Sequence, residues 1–310
     1  MRMTKIVLVL ASLALMSGAA SAAHVLNSNY HSYASGSGND LNPCTFLSPC
    51  LTLFGAYETT VAGGEVHCSD SGIGTSNMTI SKNITIDCAG ASAGQWFFVI
   101  NGANIVVTLR NISIFDFAGG VAVPGIDFQN GAALFVENCA IERFRGDEGV
   151  GINFSPASGV AKLHVTNCVI KTNGNASTGG GIYIQPAAGA VADVTIDRTQ
   201  IQNNRIGIFA NGAGTTRGVV RSSVVSGNAT WGIGAQGARS SLMIENTNVS
   251  GNQVGIVAKN SASVVVSRSS IVFNRTGLSA SAGGTLSTYK NNDLNGNTAD
   301  GVFTATVVQH

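Results

Sequence analysis

Proline is scarce in this chain, at 5 of 310 residues, and charged side chains make up only 11%. Disordered chains are commonly charged and proline-rich, so the composition excludes disorder as a description of the whole. Charge of one sign is missing too. Taking Arg2 and Lys5 from the 17 basic residues leaves 15 against 16 acidic ones. No basic face follows from that balance, which argues against nucleic acid as a partner. Aromatic residues reach only 6%. Beyond the N-terminus no stretch is apolar enough to span a bilayer. What the chain does have is glycine, 39 of 310, among many Val, Ile, Thr, Ser and Asn residues. That mixture suits many short strands joined by tight turns.

The N-terminus reads as a separable segment. Arg2 and Lys5 precede an apolar run from Ile6 to Met16, and small residues ending in Ala20-Ser21-Ala22 follow. A charged start, a short apolar core and an A-x-A site are the pattern of a secretory signal peptide over 1–22, cleaved near Ala22. The apolar core is too short for a membrane span. The expected location is therefore secreted or periplasmic. An even number of cysteines, 6, suits an oxidising compartment. Cys44 and Cys50 sit in the turn-rich "NPCTFLSPC", where a local disulfide is expected. With no second pair of Cys or His close by, this is a poor zinc site.

A phrase recurs along the chain. It reads "VTLRNISIFDF" from 107, "LFVENCAIERF" from 134, "LHVTNCVIKTN" from 163, "VTIDRTQIQNN" from 194, "GVVRSSVVSGN" from 218, "LMIENTNVSGN" from 242 and "VVVSRSSIVFN" from 264. A Gly-aliphatic pair follows each, as in Gly151-Ile152, Gly181-Ile182, Gly207-Ile208 and Gly232-Ile233, with Gly301-Val302 as the last. A period that shrinks from about 30 to about 22 residues signals a stacked solenoid. Apolar residues alternate within each phrase, as Leu242, Ile244 and Val249 do, so each repeat is a coil of short strands with one buried face. The position closing each phrase holds Asn173, Asn204, Asn228, Asn252, Asn274 and Asn297. Stacked about 4.8 Å apart, these side-chain amides can bond from coil to coil. Asn also tolerates a left-handed backbone, and the glycine soon after it suits the next bend.

These repeats resemble an all-β, right-handed parallel β-helix of the pectin lyase-like superfamily. The segment "YASGSGNDLNPCTFLSPCLTLFGAYETTVAGGEVHC" from 33 strengthens the resemblance, which is to bacterial exported proteins. It implies a solenoid of about ten coils over 65–310 and an N-terminal cap over 23–64 containing a short helix. Leu51, Phe54 and Tyr57 are expected to face the core from that helix. A cap is needed because an open coil end exposes unpaired strand edges. The superfamily holds lyases, hydrolases, epimerases and adhesins, so the resemblance speaks to fold more than to function. Its hydrolases carry N-T-D, D-D, G-H-G and R-I-K stretches, and its extracellular lyases a W-x-D-H signature. None of these occurs here.

Candidate chemistry is therefore read from the coils. The outward position of the first strand alternates in charge. Arg110 is expected beside Glu137, and Arg221 between Asp197 and Glu245. Such a row is either a catalytic line or a plain cross-strand charge ladder. The densest charge lies in "IERFRGDEGVG": Glu142, Arg143, Arg145, Asp147 and Glu148, with Lys171 stacked near Glu142 one coil on. A polysaccharide lyase needs carboxylates for calcium or for substrate charge, and a base that removes the proton alpha to a carboxylate. This cluster holds both types, and the alternative is a solvated loop with local ion pairs. Asp127, Asn153, Tyr183 and Phe209 share an outward position and, with Trp231, offer a strip on which sugar rings stack, or a scatter of surface aromatics. The five histidines, His24, His31, His67, His164 and His310, read as scattered, and no catalytic pairing follows from their positions. Cys139 and Cys168 share one column with Thr199, Ser223 and Thr247. They stand either as stacked thiols or as a disulfide between coils, and Cys68 with Cys88 forms a similar candidate pair.

The reading favours an exported carbohydrate-binding β-helix without established catalysis. A lyase acting on an acidic polysaccharide is one alternative and a non-catalytic surface scaffold another. No cofactor is expected, save calcium in the lyase case. A monomer is expected, with the C-terminal coil edge, "GVFTATVVQH", open to self-association or covered by the tail.

Overall fold

The computed structural model describes residues 28–70, 73, 77–88, 97–116, 120 and 122–308. The expected signal peptide lies outside them. Three parallel sheets, of 12, eight and nine strands, run the length of the molecule. The chain visits them in that order once per coil. Val160–Thr166 lies in the first sheet, Val169–Lys171 in the second and Gly180–Ile184 in the third, before the return to Val191–Asp197. The nine strands of the third sheet mark about nine coils, in keeping with the expected count of about ten. Alternation builds the interior. Leu163 and Val165 lie in register with Val194 and Ile196 of the next coil, and all four are buried. Each such burial contributes roughly 1.5–3 kcal/mol.

Two polar columns hold the corners. Between the second and third sheets, Asn173, Asn204, Asn228, Asn252 and Asn274 are all buried. Each side-chain amide donates to the carboxamide oxygen one coil on, at 3.0, 3.2, 2.9, 2.9 and 3.0 Å in turn, the last reaching Asn297. The same oxygen also accepts the main-chain N–H of the preceding Asn, as at Asn204 and Asn228, 3.0 Å. The left-handed residue is not the ladder Asn, as the sequence suggested, but the one before it: Thr172, Asn203, Gly227, Gly251, Phe273 and Gly296. Turning the backbone there aims the next side chain inward. Between the first and second sheets a second column repeats the device with hydroxyls. Thr199 N–H donates to Ser223 Oγ at 3.1 Å, and Thr247 N–H to Ser269 Oγ at 3.2 Å.

The glycines after the Asn column have a packing role rather than a bending one. A Cβ on Gly207 would stand 2.4 Å from the Gly232 carbonyl oxygen and 3.0 Å from Asn228 Nδ2. Gly151, Gly181, Gly232, Gly255 and Gly277 meet the next coil in the same way.

Cysteine usage divides. Cys44–Cys50 and Cys68–Cys88 are disulfides, whereas Cys139 and Cys168 are buried free thiols. The inter-coil bridge weighed for the latter pair is not formed. Their sulfurs take the hydroxyl's place in the column: the Cys139 N–H donates to Cys168 Sγ at 3.3 Å, and Cys168 Sγ–H faces the Thr166 carbonyl at 3.3 Å. That hydrogen-bonded partnership with Cys139, followed by burial, pushes the Cys168 thiol far above the ordinary range.

At the N-terminus, β1 (Asn29–Ala34) pairs with β2 (Thr60–Cys68), and α1 (Leu53–Thr59) lies between them in sequence. Leu53, Ala56 and Tyr57 face the core, while Leu51 and Phe54 are exposed, contrary to the expected helical face. Asp40 explains the shift. Its carboxylate accepts the N–H groups of Leu51 and Thr52 at 2.9 and 2.8 Å, and Thr52 then caps α1 by accepting from Gly55. The helix therefore starts at Leu53, with Leu51 ahead of its cap, and Tyr57 alone of the three expected residues faces the core. At the other end the chain's own tail covers part of the last coil. Gly277 and Leu278 donate to the carbonyls of Ala299 and Asp300, and Ala305–Thr306 joins the first sheet. Gly301-Val302, the last predicted pair, lies outside any strand, and Val302 is exposed.

Candidate functional site

The third sheet carries the predicted strip. Register places Asp127, Asn153, Tyr183 and Phe209 side by side on consecutive coils. The next residue in that row is Gly234, not an aromatic. Trp231 fills the gap from three residues upstream. A Cβ on Gly234 would lie 2.9 Å from the indole and 3.3 Å from the Phe209 ring, so the missing side chain makes room for both. The rings then meet edge to face. Tyr183 and Phe209 centroids are 5.6 Å apart and Phe209 and Trp231 centroids 5.4 Å, both within the favourable range. Lys259 Nζ stands over the indole at 4.6 Å.

Beside this strip opens a cleft of about 510 Å³. Part of its lining comes from the turns that lead from the second sheet into the third, residues 143–149 and 172–179 of two adjacent coils. Those turns stack on each other: Gly174 N–H donates to the Phe144 carbonyl, and Glu148 N–H to Thr178 Oγ1 at 3.1 Å. Glu148, Thr178 and Arg205 line the cleft together with Asn153, Tyr183, Phe209 and Trp231. Tyr183 is held in place by donating to the Gly179 carbonyl at 2.7 Å. Burial pushes its hydroxyl up, so it remains a neutral donor. Asp127 stands beside Asn153 one coil earlier, accepting from Asn153 Nδ2 at 2.8 Å and from Gln129 Nε2 at 2.7 Å.

The charged cluster is thus divided. Glu148 reaches the cleft. Glu142 and Lys171 pair at 3.1 Å, but on the second sheet, around the corner from it. Both are partly exposed, and such pairs are worth a few tenths of a kcal/mol. Arg143 supplies a left-handed turn residue. Arg145 Nε faces the Thr172 carbonyl at 3.5 Å, and Asp147 accepts from Asn175 at 3.0 Å. Of these six residues, Glu148 alone lines the cleft. Nor does the cleft fit calcium, which takes 6–8 oxygens with several carboxylates. Glu148 is the one carboxylate lining it, and Asp127 is already occupied by two amides.

The first-strand charge row stacks in the expected register, with Arg110 beside Glu137 and Arg221 between Asp197 and Glu245, and its arginines pair backward along the coils. Arg110 pairs backward with Asp87 at 2.8 Å and Glu65 at 2.5 Å, rather than forward with Glu137. Arg221 pairs with Asp197 at 3.4 Å, while Glu245 pairs with Arg268. Two acids in preceding coils give Arg110 a fork that Glu137 alone does not offer. The sequence reading also missed Arg205, which directly follows a ladder Asn and leaves the corner outward. That position after each ladder Asn was the available signal.

A solenoid of three parallel sheets with a groove along one of them defines the class of a parallel β-helix. Residues 180–307 match the family described as right handed beta helix region. The chain accordingly folds as a right-handed parallel β-helix. No curated protein matches the sequence. Two solved structures are similar in outline. Pectate lyase Pel9A is 15% identical, with a TM-score of 0.46, over 85% of this chain and 75% of that one. The GH136 lacto-N-biosidase from Eubacterium ramulus is 11% identical, with a TM-score of 0.45, over 90% of this chain and 67% of that one. Neither likeness assigns an activity to this chain.

Proposed function

We propose that this protein is an exported module that binds a carbohydrate chain, of acidic type, along the cleft of the third sheet. The observation that carries the reading is the row of Tyr183, Phe209 and Trp231 on successive coils, lining one cleft with Arg205 and Glu148. Sugar rings pack their C–H faces on flat aromatic surfaces and satisfy their hydroxyls with adjacent polar groups, here Asn153 and Gln185. Arg205 and Lys259 flank the strip with positive charge suited to uronate carboxylates. A polymer suits a groove that continues from coil to coil. Export is supported by two disulfides, which persist in oxidising compartments. Among the described residues no helix is long and apolar enough to cross a membrane.

Binding without bond cleavage is the reading favoured here, because Glu142 and Lys171 pair on the second sheet and Glu148 is the one charged residue of that turn that lines the cleft. The test is affinity gel electrophoresis with polygalacturonate and with a neutral polysaccharide, alongside ultraviolet absorbance for unsaturated uronate ends. Retardation by the acidic polymer alone, reduced about tenfold in affinity by Phe209→Ala, is the expected result, since an aromatic contact is worth roughly 1 kcal/mol beyond its buried area. A rise in absorbance would instead make it a lyase. Neither signal would leave a scaffold.

A further inference from the structure

His31 on β1 and His67 on β2 stand 36 residues apart in sequence, yet His31 Nδ1 lies 3.2 Å from His67 Nε2. The register explains the meeting. His31 pairs with Glu65 and Tyr33 with His67, so the two imidazoles are diagonal neighbours on the outer face of the first sheet. Glu65 completes the group, and the ligand atoms of all three side chains lie within 4.8 Å of one another. This corrects the reading of the histidines as scattered.

We propose that His31, Glu65 and His67 bind a divalent transition metal, with zinc as the best fit. Two nitrogens about 2.05 Å from a tetrahedral zinc stand about 3.3 Å apart, and the observed separation is 3.2 Å. Two neutral imidazoles and one carboxylate are a donor set for zinc rather than for calcium or magnesium, which prefer oxygen. The surroundings prepare each ligand. The Tyr33 ring stacks on His67 with centroids 5.0 Å apart and planes 21° apart, fixing the plane of that imidazole. Arg110 Nη2 holds Glu65 Oε1 at 2.5 Å, leaving Oε2 for the metal. The same guanidinium bonds Asp87 at 2.8 Å, so two carboxylates face one cation and the cluster retains a net negative charge. Such outer hydrogen bonds orient metal-ligating carboxylates. His31 is exposed, which leaves the fourth coordination position open to water. The metal would clip β1 onto β2 and so fasten the N-terminal cap to the first coil. This site lies on the first sheet, away from the cleft, and stands independently of the carbohydrate reading.

Titration calorimetry of the full chain, stripped with a chelator and then given zinc chloride, tests it. One zinc per chain is expected, with a melting temperature that rises with zinc concentration. His31→Asn and Glu65→Gln should each weaken binding by at least about tenfold. His164→Asn, on the same sheet but apart from the cluster, should leave it unchanged. Cobalt in place of zinc should give the visible bands of four-coordination. If His31→Asn lowers the metal-free melting temperature, Glu65→Gln and His67→Gln decide the matter. Absence of stoichiometric zinc, or unchanged affinity in the ligand variants, would overturn the proposal and leave the 3.2 Å contact as a hydrogen bond between the two imidazoles.

Discussion

Asn204 reaches Asn228 twice: its side-chain Nδ2 and its main-chain N–H both donate to the single Oδ1 of Asn228, at 3.2 and 3.0 Å. One oxygen therefore satisfies two buried donors of the neighbouring coil. Asn228→Ala strands both. Each unsatisfied buried donor costs about 1–3 kcal/mol, so the variant should lose about 2–4 kcal/mol in urea unfolding. Asn297→Ala, at the half-exposed end of the column, should lose clearly less. Equal losses at both positions would sink the ladder account.

The glycine column makes a second, steric prediction. Gly207→Ala forces a methyl to 2.4 Å from the Gly232 carbonyl oxygen. Overpacking of this kind costs typically 1–3 kcal/mol. Gly120→Ala meets nothing within 4 Å and should be neutral. Thermal melts of the two variants provide the comparison.

Cysteine chemistry is countable. Cys139 and Cys168 are buried, at 3% and 1% exposure, and the other four described cysteines are bridged. A thiol reagent should find no reactive group in the native protein and two per chain after denaturation. Because hydroxyl residues occupy the same column, Cys168→Thr should change stability by less than about 1 kcal/mol.

His164 gives a pH dependence. Burial, then the charge of Lys162, lowers its pKa below the ordinary value of 6.5, with Glu137 opposing. The unfolded chain therefore takes up the proton first. The His164 contribution to stability is full above the unfolded pKa, falls as pH drops through it, and levels below the folded pKa. His164→Phe, which keeps the ring stacked on Phe135, should flatten that portion of the stability curve between pH 7 and 5. An unchanged curve would show that the shift is absent.

The local rules of this chain were legible because each coil repeats them. Alternating aliphatics, an Asn at one corner and a small residue at the other are properties of a single repeat, and stacking repeats them along the axis. The aromatic strip was legible in part. Asp127, Asn153, Tyr183 and Phe209 hold the same position after each Gly-aliphatic pair, whereas Trp231 stands outside that row and reaches it by lying across Gly234. The left-handed residue before each ladder Asn was assigned one position late. The composition of a turn does not say which of two adjacent residues bends.

The sequence by itself determined the solenoid: its period, its parallel sheets, and the columns that close its corners. Those follow from short-range periodicity, which a single chain displays openly. The tertiary structure decided which side chains meet across coils. Loop length set Glu148 over the third sheet while Lys171 stayed with Glu142 on the second. Strand register brought His31 to His67 over 36 residues. Register depends on how each coil packs on the last, and no single repeat encodes it.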